Sequence, residues 1–533
     1  MKHSTFTKKP IALVISSILT VGLSAPLYAA ETNAAETNSD VENNNDQMEV
    51  IEVKGIKGSL IRSMNVKRAM SGVVDAISAE EMGKFPDTNL AESLQRITGV
   101  SVSRSNGEGS QITVRGFGPE FNLITLNGRQ MPGTGNSRSY SLENLSSDGV
   151  SALEVYKTAR AETPSGGLGA TVNIVTVKPL NSPGEKYSFS VKGIYDESNE
   201  KGDDVTPELS ALYSNTFADE TFGVAFSFSH QQRDFQQQSA NIQGWQYQTD
   251  AQLPELDADK VVDNRLAGAA PGAFFPRDMN YAIKDIERER TNANVTFQYA
   301  PFDSLVMTLD YTMGESTTGS NSIGWGQWHD YGGSIKAYEL DENGTVLFAD
   351  LSGNDGSYTA NRDTTQVDEQ SLGFNIQWQA SDELSLSLDY HSSQSETDNG
   401  KDTGMKGTGS LVFGSDQLVS KHYDFRTGDI PQGTIFWKNG STTLTPNEMD
   451  SHFSQFIHSP GKAEVDQLQI DGAWENPYDF PLMTVKFGLA RTEQTMSGSH
   501  AWSGLIGGFL FNPNYADAFP DSMFNYHTTS GFM

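Results

Sequence analysis

From residue 187 onward, apolar and polar residues alternate along the chain. Tyr187, Phe189 and Val191 fall on one side of an extended segment, whereas Ser188 and Ser190 fall on the other. Because successive side chains of a β-strand point to opposite faces, this alternation predicts strands with one apolar face. The apolar runs recur at residues 187–191, 209–217, 222–228, 295–299, 305–311, 372–378, 384–390, 468–474 and 483–489. Each predicted strand is about ten residues long, which is the length with which a tilted strand crosses a bilayer.

The connections between these strands are alternately short and long. The short turns lie near residues 218–220, 301–303, 381–382 and 476–481. The long, polar connections lie near residues 233–289, 315–367 and 394–463. Membrane β-barrels show this asymmetry because their periplasmic turns are short and their extracellular loops are long. A soluble β-sandwich does not show it, so the predicted fold is a large antiparallel transmembrane β-barrel.

The region before the alternating strands has a mixed α and β pattern. Leu90, Leu94 and Ile97 share one helical face, and Gly99 follows them as a helix stop. Strands are predicted at residues 112–115, 123–126 and 171–177. Asn127-Gly128 between apolar runs is a strong turn signal. Residues 56–180 are therefore predicted to form a separate α+β domain.

The N-terminus has the three parts of a secretory signal. Lys8 and Lys9 are basic, Ile11–Gly22 is apolar, and Ala25–Ala30 is rich in small residues. We expect residues 1–30 to be a cleaved signal peptide. Residues 31–47 are polar, have almost nothing to bury, and are predicted to be a disordered tether.

Composition narrows the possible functions. The formal net charge is −31, which argues against binding to nucleic acid because such binding needs basic patches. The chain has no cysteine, which excludes cysteine catalysis and thiolate metal sites. The motifs of serine hydrolases, His-pair metal sites and phosphate-binding loops are absent. We therefore expect no enzymatic activity, no cofactor and no metal site.

Four motifs in the α+β region occur in a specific order: Thr113–Gly118, Ile124–Pro132, Leu153–Lys157 and Pro164–Thr176. Together, behind a signal peptide, they resemble the plug domain of TonB-dependent outer-membrane receptors. Phe85–Val102 and Leu126–Arg129 resemble a proteobacterial subgroup often linked to carbohydrate uptake. The charged segment Glu287–Arg290 gives weaker support, because it also fits a solvated strand entrance.

The resemblance implies a domain order. Residues 48–55 would be the TonB box, residues 56–180 the plug, and residues 181–533 the barrel. Within the box, the predicted TonB-binding strand consists of Glu49, Val50, Ile51, Glu52 and Val53. It would pair with the TonB protein of the inner membrane, and the alternative is an ordinary first strand of the plug.

The number of strands indicates how complete the barrel is. The alternation gives about nine strands, whereas a barrel that encloses a plug has about 22. About nine strands cannot close around a domain of this size. We therefore expect residues 181–533 to be the N-terminal part of an incomplete barrel from a longer protein.

The resemblance also implies an activity, which is TonB-dependent transport of a scarce ligand across the outer membrane of a Gram-negative bacterium. The expected ligand is an oligosaccharide. A ferric siderophore or another metal chelate is the alternative within the family, and a passive porin or a surface-signalling transducer is the alternative outside it. Residues 31–47 are too short and too polar for the signalling domain of a transducer.

Two sets of site residues follow from the resemblance and from the loop composition. Arg115 and Arg129 are predicted to lock the plug against acidic residues of the barrel, although Arg129 also fits a solvated turn. The predicted ligand contacts are Arg138, Tyr140, Trp245, Tyr247, Trp325 and Trp328. Aromatic rings stack on sugars, but these side chains could equally pack the loops onto one another.

Overall fold

The structure, a computed structural model, describes most of the chain after residue 54. The described ranges are 55–70, 72–79, 89–133, 137–329, 331–353, 356–399, 407–415, 417–426, 428, 430–438, 440–445, 448–478 and 483–506. The predicted signal peptide, the tether and the TonB-binding strand Glu49–Val53 lie outside these residues.

The described residues between 55 and 181 form a mixed α and β domain. Its helices are α1 (Gly55–Ala69) and α2 (Leu90–Leu94), with short 3-10 turns at Pro119–Phe121, Leu142–Asn144 and Pro179–Asn181. Its strands are β1 (Val74–Ser78), β2 (Val100–Ser105), β3 (Glu108–Val114), β4 (Asn122–Leu126), β5 (Arg129–Gln130), β6 (Val150–Tyr156) and β7 (Ala170–Thr176). One sheet has the order β1-β6-β7-β4-β5, and β2 pairs with β3 in a hairpin. We call this domain the plug.

The plug has one hydrophobic core between its sheet and α2. Leu90 and Leu94 on α2 pack with Leu153 and Ile174 from the sheet, and all four side chains are fully buried. The helix begins at Asn89, whose side chain accepts a hydrogen bond from the backbone N–H of Ala91. This N-cap satisfies one of the free N–H groups at the helix start.

The remaining strands follow in chain order. They are β8 (Lys186–Tyr195), β9 (Val205–Phe217), β10 (Phe222–Asn241), β11 (Trp245–Gln248), β12 (Val261–Asp263), β13 (Ala273–Pro276), β14 (Asp278–Phe302), β15 (Leu305–Trp328), β16 (Ile335–Leu340), β17 (Val346–Ser352), β18 (Gly356–Gln379), β19 (Leu384–Asn399), β20 (Thr408–Gly414), β21 (Leu418–Asp424), β22 (Gln432–Trp437), β23 (Asp450–His458), β24 (Gly461–Glu475), β25 (Thr484–Gly498) and β26 (Ala501–Ile506). Two 3-10 turns lie at Ala258–Lys260 and Gly332–Ser334.

Nine of these strands form a continuous antiparallel sheet, which we call the wall. Its order is β8-β9-β10-β14-β15-β18-β19-β24-β25, so each strand pairs with the next wall strand in the chain. Apolar side chains such as Tyr187 and Phe189 cover one face and are 80% and 72% exposed. The other face contacts the plug. Within the described residues β8 and β25 do not pair with each other. The predicted class, a barrel-type sheet with an N-terminal plug, is confirmed.

Several wall strands are much longer than the apolar alternation predicts. The strands β10, β14, β15 and β18 contain 20, 25, 24 and 24 residues. Parts of the predicted loops 233–289 and 315–367 therefore belong to the wall. The apolar pattern ends where contact with lipid would end, but backbone pairing continues beyond that point with polar side chains. Trp325 and Trp328, which the sequence analysis placed in loops, lie in β15.

Much of the rest of the long connections folds into a small layer at the end of the wall opposite the short turns, whereas β20, β23 and β26 extend the sheet of the wall from β18. We call this layer the cap. It contains the five-stranded sheet β12-β16-β17-β21-β22 and the hairpin β11–β13. Phe275, Leu340, Leu351 and Tyr423 are fully buried within it. In the described part of the chain, no helix is long and apolar enough to cross a membrane.

Candidate functional site

The strongest contacts between plug and wall begin at the turn between β4 and β5. Asn127 and Gly128 both have positive φ, 53° and 87°, as a two-residue type I′ hairpin requires. The Asn127 side chain binds Thr176 on β7, which fixes the turn against the plug sheet. Arg129 is the next residue, so the turn directs its side chain towards the wall.

Arg129 lies between two carboxylates of the wall. Its Nε and Nη2 donate to Oδ1 and Oδ2 of Asp389 at 2.8 and 2.9 Å. Its Nη1 contacts Oδ1 and Oδ2 of Asp310 at 2.9 and 2.7 Å. The side chains of Arg129 and Asp310 are each 3% exposed, and that of Asp389 is 16% exposed. The two-pronged contact with Asp389 is the strong geometry of an arginine–carboxylate pair.

Electrostatics keeps Arg129 charged although it is buried. Burial alone would lower its pKa, but the hydrogen bonds to Asp389 and the charge of Asp310 outweigh burial and raise the pKa above its ordinary value. Lys178 lies close enough to Arg129 for their charges to interact. Burial and the positive charge of Arg129 lower the pKa of Lys178. We call Arg129, Asp310 and Asp389 the lower lock.

A wall glycine makes room for the lower lock. Gly373 on β18 lies directly opposite Asp310 on β15. A Cβ atom at Gly373 would overlap the Arg129 guanidinium group. Gly373 was not among the site residues predicted from the sequence. A glycine inside a strongly alternating strand was the available signal, because such a glycine often marks the close approach of another group.

The structure separates the two predicted lock residues. Arg129 contacts the wall, but the guanidinium of Arg115 donates from Nη1 to the backbone oxygen of Lys157 at 2.9 Å, within the plug. Arg115 has a φ of 52° at the turn after β3, and its N–H donates to Gly99. This turn directs its side chain along the plug. In this structure Arg115 therefore makes a contact inside the plug, and its pairing with the wall stays a prediction.

Tyr140 and Arg138 were predicted to contact ligand from the plug. Tyr140 is 4% exposed, and its hydroxyl donates to Oε2 of Glu369 on the wall at 2.6 Å. Asn144 donates to Oε1 of the same carboxylate at 2.9 Å. Burial and the nearby charge of Glu369 raise the pKa of Tyr140 well above its usual value. Tyr140 thus joins plug to wall, whereas Arg138 is exposed and donates to the oxygen of Gly166.

The predicted ligand-binding aromatics mainly contact other residues of the cap and of the part of the wall next to the cap. Their ring partners are Phe425 for Trp245 at 5.6 Å, Phe274 for Tyr247 at 5.2 Å and Tyr281 for Trp325 at 5.4 Å, with the Arg277 guanidinium 5.7 Å from the Trp328 ring. These contacts fit the alternative in which the aromatics pack the connections together. Their role in ligand binding stays a prediction.

A second buried ion-pair cluster joins plug and wall. Glu108 on β3 lies between Arg288 and Arg290 on β14, at 2.7 Å from Nη2 of Arg288 and 3.5 Å from Nη1 of Arg290. The three side chains are 4–8% exposed. By sequence, Glu287–Arg290 also fitted a solvated strand entrance. The structure instead places Arg288 and Arg290 inside β14, facing the plug.

A cavity of about 1060 Å³ lies between the plug and strands β18, β19, β24 and β25. Gln130, Glu162, Gln467 and Asp471 line it, and none of the predicted ligand contacts does. Within the described residues, no group of three or more His, Asp or Glu side chains is arranged to hold a metal ion.

Comparisons with known proteins identify a related domain family in the plug region. Residues 66–171 match the family described as TonB-dependent Receptor Plug Domain. The chain is similar to the "Probable TonB-dependent siderophore receptor PirA" of Acinetobacter baumannii, with 25% identity over 33% of this chain and 25% of that protein. It is also similar to the ferric enterobactin receptor PirA of Pseudomonas aeruginosa, with 32% identity over 20% of this chain and 17% of that protein. The matched segments thus span a quarter or less of these two relatives.

Among solved structures, the ferric enterobactin receptor PfeA of Pseudomonas aeruginosa aligns with 77% of this chain and 63% of its own. The identity is 10% and the TM-score is 0.33. The family match over residues 66–171 covers most of the four sequence motifs and lies within the plug that packs against the wall. Residues 66–171 thus carry a plug domain of the TonB-dependent receptor type.

Proposed function

We propose that this protein transports a ligand across the bacterial outer membrane by TonB-dependent active transport. The observation that carries the proposal is the plug held against the inner face of the wall by the buried lower lock, in which Arg129 contacts Asp310 and Asp389. A ligand can pass only if the plug moves, and separating buried ion pairs costs several kcal/mol. A passive porin has no such domain to move, so the arrangement favours an energised transporter.

The energy source would act through Glu49–Val53. Acidic residues that alternate with β-branched ones suit an exposed strand that adds to the sheet edge of a partner. The polar residues 31–47 would give this strand the reach to meet TonB in the periplasm. Residues 1–30 would direct export and be removed. The proposed mechanism involves no covalent chemistry.

The ligand that we propose is a ferric siderophore. Two observations favour it over the oligosaccharide expected from the sequence. Relatives that match this chain are named siderophore or ferric enterobactin receptors. The loop aromatics that suggested sugar stacking make ring contacts within the cap and within the part of the wall next to the cap.

The experiment compares binding and uptake in cells that carry the receptor. Val50→Pro removes a strand donor, so we expect uptake of a siderophore loaded with radioactive iron to be lost while binding to the cell surface persists. Thr37→Pro in the tether is the matched control, and it should transport normally. Labelled oligosaccharides form the second arm.

The outcomes separate the parts of the proposal. Uptake that continues in Val50→Pro cells would place the TonB-binding strand elsewhere. Accumulation of oligosaccharide but not of iron would overturn the ligand class and leave transport standing. Ligand entry that needs no TonB would instead identify a passive pore.

A further inference from the structure

We propose that Glu108, Arg288 and Arg290 form a second plug lock whose polarity is opposite to that of the lower lock. We call these three residues the upper lock. In the lower lock the plug supplies the cation and the wall supplies the anions; in the upper lock the plug supplies the anion. The two locks together would fix the orientation of the plug in the wall. This inference rests on the proposed function, because it concerns how the plug is held closed.

The plug presents Glu108 through a tight hairpin. Asn106 and Gly107, between β2 and β3, have positive φ of 47° and 79°. These values allow the chain to reverse its direction immediately before Glu108. Lys284 on the wall donates to the side-chain oxygen of Asn106 at 3.2 Å. The wall therefore contacts the turn as well as the carboxylate that follows it.

The two wall arginines depend on Glu108 to different degrees. Arg290 also donates to Oε1 of Gln231 at 2.6 Å and contacts the backbone oxygen of Glu143. Arg288 is 4% exposed, and among the described residues its three guanidinium nitrogens have no partner with hydrogen-bond geometry. Its close charge partner is the Glu108 carboxylate at 2.7 Å. Removing that carboxylate would leave a buried charge without compensation, which is strongly destabilising.

The two locks lie at different heights on the wall. Arg290 pairs with Ser316 on β15, which is six residues from Asp310 of the lower lock on the same strand. At about 3.3 Å per residue, this separates the locks by roughly 20 Å. The upper lock is the one farther from the short turn between β14 and β15.

Opposite polarity gives the wall a way to reject a misplaced plug. A plug that slid along the wall would bring Arg129 towards Arg288 and Arg290, or Glu108 towards Asp310. Like charges would then meet in a buried interface, which is a penalty against the wrong arrangement. Two locks of the same polarity would impose no such penalty.

The test uses the absence of cysteine from the chain. Ser110→Cys places one thiol two residues from Glu108, at a position that is 8% exposed. A bulky maleimide should label this thiol slowly while the plug is seated. Labelling is measured on the full receptor in outer membranes from cells without TonB and without ligand. The result therefore does not depend on whether the proposed transport activity is correct.

Four variants of the Ser110→Cys receptor distinguish charge from packing. Glu108→Gln keeps the side-chain size and should speed labelling at least tenfold. Glu120→Gln, at an exposed plug carboxylate, is the matched control and should leave the rate unchanged. Glu108→Arg should also speed labelling, and combining it with Arg288→Glu and Arg290→Glu should restore slow labelling.

Rescue by the charge exchange is the outcome that packing alone does not predict. The proposal is overturned if Glu108→Gln labels no faster than Glu120→Gln. It is also overturned if the charge-exchanged receptor labels as fast as Glu108→Arg alone. Receptor amounts in the membrane, measured in parallel, normalise each rate.

Discussion

Replacing Arg129 with alanine should loosen the plug more than any comparable change at its surface. The side chain makes four contacts of 2.7–2.9 Å with Asp310 and Asp389. Its removal leaves two wall carboxylates close together and mostly buried, with no cation between them. Arg129→Lys keeps the charge but loses the two-pronged geometry, so it should have a smaller effect.

The magnitude follows from the burial of the lower lock. Summing four charged hydrogen bonds would overestimate the effect, because water competes for each of them in the unlocked state. Removing one partner of a buried ion pair typically costs about 3–5 kcal/mol. Since about 1.4 kcal/mol corresponds to a tenfold change, the fraction of receptors with an unlocked plug should rise by about a hundredfold or more.

Hydrogen exchange of the β4–β5 hairpin measures this opening directly, because local protection reports the free energy of local opening. Met131 is a suitable probe, since its N–H donates to the oxygen of Ile124 across the hairpin. Arg138→Ala is the matched control, because Arg138 is an exposed plug arginine whose contact stays inside the plug.

A second experiment tests the cause of the loosening. In the Arg129→Ala background, Asp310→Asn and Asp389→Asn should recover part of the lost protection, because they remove the charges left without a partner. If Arg129→Ala lowers protection no more than Arg138→Ala does, the lower lock does not hold the hairpin. If neutralising both carboxylates brings no recovery, the unpaired charges are not the cause of the loosening.

Two further predictions concern the wall and the edge of the plug. Gly373→Ala should loosen the hairpin as Arg129→Ala does, because the added Cβ overlaps the guanidinium of Arg129. Gly319→Ala on β15 should not loosen it, since a Cβ there has only ordinary contacts at 3.8 Å or more. Equal exchange protection in both variants would contradict the role of Gly373. Asp75 should anchor β1 down to low pH: burial raises the pKa of its carboxyl, but hydrogen bonds from Lys157 and Lys67 lower it below 3.8 overall. A depressed carboxyl pKa stabilises the folded form above the unfolded value, and this contribution is lost as pH falls through the folded value. Exchange protection of β1 should therefore decline only below pH 3.8 and should lose this dependence in Asp75→Asn; a decline that begins near neutral pH would refute the assignment.

Local pattern in the sequence was enough for the nine wall strands, their short turns and the candidate Arg129. The period-two alternation identified the nine wall strands because outward side chains must be apolar wherever the wall faces lipid. Asn127-Gly128 identified the hairpin because few other residues adopt positive φ at both positions. Arg129 follows directly from that turn, and its place in a plug motif made it a candidate before any partner was known.

Tertiary structure alone decided the partners and the extent of the wall. Asp310 and Asp389 lie 181 and 260 residues from Arg129 in the chain, and only the register of β15, β18 and β19 brings them together around Gly373. Residues 287–292 of β14 and 314–322 of β15 carry no apolar side chain, so they resemble loops in sequence although their backbones are fully paired. For the same reason Arg288 and Arg290 looked like solvated residues. Their burial depends on a plug that packs against the wall, which is a contact that no local pattern encodes.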